Sequence, residues 1–489
     1  MRNSSRCTRG TLDTAPRRWD NVLDLTELFV GRFLLGLMLA GTLSLGAAVR
    51  AESEAVPLPP VQFSERTLAN GLRVLLVEDH TSPTVAIQVA YRVGGKDDPP
   101  GRSGFAHLFE HLMFKGTANT KPETLDRLTE DVGGFNNAFT SEDITNYFEV
   151  VPSNYLETLL WAEADRLGSL VVDETNFKTE RQVVIGEYDQ RVLASPYGML
   201  FELLDSKSYT VHPYRRGVIG NPAELNAATL EDVQNFHRTY YQPDNTTLVV
   251  VGDFDPVQAN RWIDQYFGAV PNNSRPIPRV SAVEPKQSAE RRTTHYGANV
   301  PLPAVALVYH APARSSPDRA ALDVLENVLS QGQSARLYRT LVYEKQVASQ
   351  VSASADLREQ PGLFVVYAIL NAGEKPEQAR TLLDGEIGKL QQVPVPEAEL
   401  AKAKTQLIAE LVRGREQANS RATELVLATL VGGDPRQVNT ALEEIEKVTA
   451  QDVQRVARQY LVPTNRTVID YLPRAMQPAG PTKKERKSP

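Results

Sequence analysis

The chain has 489 residues, too many for one ordinary core, and its 41% hydrophobic and 23% charged residues describe a globular protein rather than a disordered or fibrous one. A formal net charge of −7 gives no global attraction to nucleic acid or to an anionic membrane. The single cysteine, Cys7, falls in a segment expected to be removed, which leaves the remainder without disulfides or thiol chemistry.

In chain order, Arg32 precedes an apolar run from Phe33 to Ala48, followed by small residues. Val49-Arg50-Ala51 suits a signal-peptidase site, so residues 1–51 read as a signal peptide and the mature protein as exported and periplasmic; left uncut, the run would serve as a membrane anchor. Leu72, Val74 and Leu76 alternate, Asp79 to Pro83 turn, and alternation resumes from Val85 to Val93, which predicts two strands. Helical periodicity covers 104–114 and 121–131, a Gly133-Gly134 turn leads into a strand-like stretch over 137–151, and helices are expected over 153–170 and 173–193. "NTTLVVVGDFD" then reads as a buried strand.

Residues 270–292 are proline-rich, polar and aperiodic, a linker between an N-terminal domain over 52–269 and a C-terminal one over 293–475; the basic end, 476–489, reads as a disordered tail. The two domains are related. Asp232, Val233, Gln234, Tyr240, Pro243, Asn245 and Thr247 recur 220 residues later as Asp452, Val453, Gln454, Tyr460, Pro463, Asn465 and Thr467. This predicts an α+β fold of two homologous domains, each a mostly antiparallel sheet packed with helices.

The segment "FAHLFEHLMFKG" lies 216 residues ahead of "ALDVLENVLSQG". Leu108, Phe109, Leu112 and Met113 match Val324, Leu325, Val328 and Leu329, and Glu110 matches Glu326. His107 and His111 face Asp323 and Asn327 instead, so the packing face needs neither histidine. On a helix, His107 and His111 share a face and reach one cation, with Glu110 at its edge as a general base for a zinc-bound water. A third ligand is sought in "DETNFKTERQVVIGEYDQR", where Glu174, Glu180 and Glu187 are available and the last two share a face.

The inverted His-x-x-Glu-His order, a glutamate 76 residues after His111, another seven before it, and the two repeated halves together resemble the pitrilysin/insulinase family of zinc peptidases. The subfamily is similar to mitochondrial processing peptidase β subunits and their bacterial relatives, and the likeness covers most of residues 60–475. The resemblance implies one Zn²⁺ on His107, His111 and Glu187, with Glu110 activating water and Glu180 as a supporting carboxylate. It implies a peptide-binding edge strand in "NNAFTSEDITNYF", carried by Asn137 and Ala138, and hydrolysis of peptide or unfolded polypeptide. "VHPYRRGVIG", from Val211, also resembles a family segment, with no chemistry assigned.

One departure stands out. Many family members carry an arginine and a tyrosine seven apart in the second half, near the substrate carbonyl; here those positions align with Val342 and Ser349, which lack the required donors. Tyr343 is one candidate for a local stand-in, although a tyrosine there more often just belongs to a helix face. The resemblance then implies a heterodimer in which a second family subunit, lacking zinc ligands, supplies that pair; the alternative is an inactive or weak member acting as a structural or peptide-binding subunit.

Overall fold

The apolar residues from Val74 to Val77 are consecutive rather than strictly alternating, and they build a strand buried on both faces. The computed structural model describes residues 59–478 apart from 274, so the expected signal peptide and most of the basic tail lie outside the described residues. The described residues belong to one compact unit. β1 (Ser64–Thr67), β2 (Arg73–Glu78), β3 (Thr84–Tyr91), β4 (Phe135–Thr140), β5 (Thr145–Pro152) and β6 (Thr246–Gly252) form a sheet in the order β1-β2-β6-β3-β5-β4. Only β2 and β6 run parallel.

A second sheet holds β7 (Arg291–Gly297), β8 (Ala304–His310), β9 (Ala348–Asp356), β10 (Leu363–Leu370) and β11 (Arg466–Pro473) in the order β7-β11-β8-β10-β9, with only β7 and β11 parallel. This repeats the β2-β6-β3-β5-β4 order of the first, so the chain is an α+β protein of two duplicated halves. Between them, the described residues of 270–290 contain no helix or strand.

The recurring identities have structural causes. Thr229 and Thr449 each cap a helix, exchanging bonds with Asp232 and Asp452 in a capping box. Asn245 donates to the carbonyls of Tyr240 (2.8 Å) and Arg92 (3.3 Å); Asn465 donates to those of Tyr460 (2.9 Å) and His310 (2.8 Å). Each asparagine thereby satisfies backbone carbonyls where a helix hands over to the central strand.

Each sheet has one face covered by its own half and the other by a helix from the opposite half. Helix Ala418–Leu430 sets Ala422, Leu425 and Val426 against Leu75, Val77, Val249 and Val251 of the first sheet. Helix Gly198–Ser208 sets Leu200 and Leu203 in one cluster with Val308, Val365 and Ile469 of the second. The two helices start at Gly198 and Ala418, the same 220-residue offset, so the exchange is reciprocal. With roughly 1.5–3 kcal/mol for each fully buried aliphatic side chain, it welds the halves together.

Two local readings are revised. The stretch 137–151 is not one strand: the Ser141 hydroxyl accepts the N–H groups of Asp143 and Ile144 (3.2 Å each), a side-chain turn that breaks it into the β4–β5 hairpin. The helix expected over 173–193 is α-helical only over Glu174–Tyr188 and widens to π-helical turns over Asp189–Ala194.

The helix Phe105–Leu112, which carries the histidines, starts from Gly104 at φ +92°. Asp98 reaches over from upstream, accepting the N–H of Gly104 (2.6 Å) and of Ala106 (2.9 Å). Burial pushes the Asp98 carboxyl up to about 7, against the pull of those two N–H bonds. The "VHPYRRGVIG" segment closes over the same end, for a Cβ on Gly104 would lie 2.6 Å from the Ile219 carbonyl oxygen and 2.9 Å from the Gly220 Cα. Gly104→Ala is therefore expected to destabilise the fold by at least ~1–3 kcal/mol, read as a lower denaturation midpoint.

Candidate metal centre

The helix Phe105–Leu112 is anchored by Phe105, Leu108, Phe109 and Leu112, all inside the first core, and the Phe109 carbonyl accepts the Tyr147 hydroxyl at 2.9 Å. The fixed apolar face leaves His107, Glu110 and His111 on the side that meets helix Glu174–Tyr188. That second helix starts at Asp173, whose carboxylate accepts the Asn176 N–H at 2.8 Å, and Phe177 and Val184 seat it on the core. Their spacing brings Glu180 and Glu187 round to the histidines.

One ligand atom from each of His107, His111 and Glu187 lies within 4.8 Å of the others. Glu187 Oε2 is 3.6 Å from His107 Nε2 and 3.3 Å from His111 Nε2. The two rings stand nearly perpendicular, 86° apart at 4.9 Å between centroids. Two imidazoles and a carboxylate converging on one point, buried or half-buried, are the donor set of a three-ligand zinc site, and these residues fit that ion.

Around them stand groups whose roles were not all legible. Glu180, 3% exposed, places Oε2 3.6 Å from His111 Nδ1 and Oε1 3.0 Å from Lys115 Nζ, so it orients His111 from behind. Arg191 Nε lies 3.2 Å from the other Glu187 oxygen. Glu110, 9% exposed, accepts the Thr140 hydroxyl at 2.6 Å, which ties it to β4. His107 Nδ1 is buried without a hydrogen-bond partner among the described residues. Lys115 carries no sequence signal beyond its nearness to the motif, and Arg191 and Thr140 carry none.

The other expected residues divide. Glu174 is exposed and pairs with Lys178 at 2.8 Å, away from the centre. Asn137 and Ala138 lie on β4, at the sheet edge, where Asn137 Oδ1 accepts the Ala138 N–H at 2.8 Å. In the second half, Val342 packs against the core, Ser349 donates to the Ile369 carbonyl at 3.3 Å, and Tyr343 is 75% exposed.

The metal-free centre stores charge. Burial opposes a proton on His111, but hydrogen bonds donated to the Glu180 and Glu187 carboxylates and the Glu110 charge overcome it and raise the ring to about 9. Burial lowers His107. Burial also works against the Glu187 anion, yet the His111 hydrogen bond and the nearby histidines and Arg191 bring it down to about 2. A raised His111 holds its proton through neutral pH and yields it as pH climbs through about 9. Metal uptake near pH 7 should therefore release about one proton, with apparent affinity rising about tenfold per pH unit until about pH 9. Calorimetry in buffers of different ionisation enthalpy measures that proton, and affinity flat from pH 6 to 9 would contradict it.

Comparison with known proteins places this arrangement. Residues 73–221 match the family described as Insulinase (Peptidase family M16), and residues 227–407 match the Peptidase M16 inactive domain. The chain is 33% identical over 438 residues to a zinc protease, PqqE, of Helicobacter pylori, covering 89% of this chain and 97% of that one. It is 25% identical to a probable mitochondrial-processing peptidase subunit beta of Arabidopsis thaliana, over 81% of this chain and 75% of that one. Among solved structures, a Helicobacter pylori protease superposes with a TM-score of 0.81 at 33% identity, covering 84% of this chain and all of that one. The periplasmic protease PqqL of Escherichia coli shares the fold at a TM-score of 0.71 and 18% identity, over 87% of this chain and 49% of that one. Two repeated halves, an inverted histidine motif in the first and a relative matched nearly end to end place the chain in the insulinase family, peptidase family M16.

Proposed function

We propose that the chain is an exported zinc endopeptidase that hydrolyses short or unfolded peptides, and that it works as the zinc-bearing subunit of a pair. The convergence of His107, His111 and Glu187, with Glu110 one turn away on the same helix, carries this reading. When bound, zinc supplies a Lewis acid for the scissile carbonyl and lowers the pKa of a water. Glu110 takes the proton of the attacking water and passes it to the leaving amine nitrogen, so the peptide C–N bond breaks without a covalent enzyme intermediate. Glu180 holds His111 in place from behind, with its charge balanced by Lys115. The open edge of β4 takes the substrate as an added strand beside Glu110, with the Ala138 backbone and the Asn137 side chain as its contact positions.

The pairing rests on what the second half offers. Val342 and Ser349 supply no guanidinium or phenol, and Tyr343 is exposed to solvent on the π-helical segment Tyr338–Glu344. A second family subunit would bring those donors to the carbonyl. Export rests on the leader expected over 1–51; among the described residues no helix is long and apolar enough to cross a membrane.

The test is a quenched-peptide assay of the purified chain, alone and mixed with a family subunit lacking the histidines, with and without chelator. Chelator-sensitive hydrolysis appearing only on mixing is the expected result. Full activity from the isolated chain would sink the pairing. No chelator-sensitive hydrolysis in any mixture would leave the chain a peptide-binding or structural subunit.

A further inference from the structure

The duplication places a second edge strand, β9, where β4 stands in the first half. Sheet register fixes the correspondence residue by residue. From the matched Thr247 and Thr467, partners run through Ala90, Asn146 and Phe139 in one half and through Val308, Val365 and Ser354 in the other. Ala353 and Ala355 are therefore the counterparts of Ala138 and Thr140.

The two edges are treated differently. In the second half, Glu326 Oε2 accepts the Ala355 N–H at 2.8 Å, and the Ser330 hydroxyl donates to the Ala353 carbonyl at 3.1 Å. Residues two apart on a strand turn their backbone groups to the same side. As β10 pairs with β9 on the other side, these two bonds occupy the free edge. In the first half, Glu110 stands where Glu326 does, but it takes the Thr140 hydroxyl and leaves backbone alone; the Ala138 N–H is held only from within the edge strand, by the adjacent Asn137 Oδ1 at 2.8 Å, with no helix side chain on it among the described residues. The counterpart of Ser330 is Phe114, whose ring packs towards Tyr147, 6.0 Å between centroids, and has no hydroxyl to give.

We propose that Glu326 and Ser330 form a latch that closes the β9 edge to incoming strands, so that an extended peptide adds to β4 alone. An unpaired edge attracts any extended chain, and filling its donor and acceptor with side chains removes that attraction. The duplicated glutamate has then diverged in role: beside two histidines it faces the metal centre, and beside Asp323 and Asn327 it seals an edge. This inference rests on the reading that peptide adds to β4.

The experiment counts bound peptides. The full chain carrying Glu110→Gln, which prevents turnover, is titrated with a labelled extended peptide, and the same chain with Glu326→Ala and Ser330→Ala is titrated beside it. One peptide per chain in the parent and two in the latch variant are expected. One in both, with the variant folded by circular dichroism, overturns the latch while β4 stands. None in the parent and one in the variant supports the latch and removes β4 as the site. None in either overturns both. Should the double change prevent folding, Ser330→Ala alone deletes only a hydroxyl; it is expected to gain a weaker second site, and a count of one would overturn the latch.

Discussion

Glu110→Gln is expected to lower kcat by about 10²–10⁴-fold, the usual contribution of a positioned general base, with KM and the melting temperature nearly unchanged. The amide keeps the shape of the side chain and an oxygen to accept the Thr140 hydroxyl, so the tie to β4 at 2.6 Å survives. Only the capacity to take a proton from water is lost. A carboxylate at this point of the helix is not catalytic by position alone, because Glu326 occupies the same point in the second half and is bonded to the Ala355 N–H. The histidines one turn before and one residue after Glu110 make the difference. Steady-state kinetics on a quenched peptide, in the active assembly, measures the split between kcat and KM. A variant with undiminished kcat would remove Glu110 as the base; a variant with raised KM and unchanged kcat would make it a substrate-positioning residue.

Much of this was legible in the sequence because the duplication supplied an internal control. Apolar residues recur between the two motif helices while the histidines do not, which separates packing from chemistry before any coordinates. Glu180 and Glu187 were legible as a pair because seven residues make two helical turns. Other parts left no local trace. Asp98 caps the motif helix from a loop folded back on it, outside the usual capping position, and only the fold brings it there. The helix exchange is hidden because an amphipathic helix shows that it has an apolar face and not which sheet receives it; nothing in Leu425 or Val426 marks the first sheet rather than their own. The split between β4 and β5 lies at Ser141, whose hydroxyl and N–H both bond across the turn, in a polar run that also suits an extended strand. Lys115 and Arg191 look like solvated helix charges until Glu180 and Glu187 are placed beside them.

His107→Ala is expected to abolish stable zinc binding, taking bound metal from about one per chain to a small fraction after dialysis, and hydrolysis with it. Glu180→Gln is expected to weaken affinity by only about 10–100-fold, the usual effect of losing a partner that orients a ligand. The contrast follows from geometry. His107 supplies one of three converging ligand atoms, whereas Glu180 acts through His111 at 3.6 Å. Losing one of three protein ligands leaves His111 and Glu187, too few to hold a structural or catalytic zinc against exchange. The site is also a source of stability, since an ion bound to the folded chain alone adds RT ln(1 + [Zn]/Kd). Zinc should therefore raise the melting temperature of the parent and of Glu180→Gln, the latter at higher concentration, and leave His107→Ala unmoved. His107 is buried, so the alanine also leaves a void; His107→Phe fills that space without a ligand atom and separates the packing loss from the loss of the ligand. Full zinc occupancy in His107→Ala by metal analysis would overturn the ligand assignment, and with it the catalytic reading of the helix.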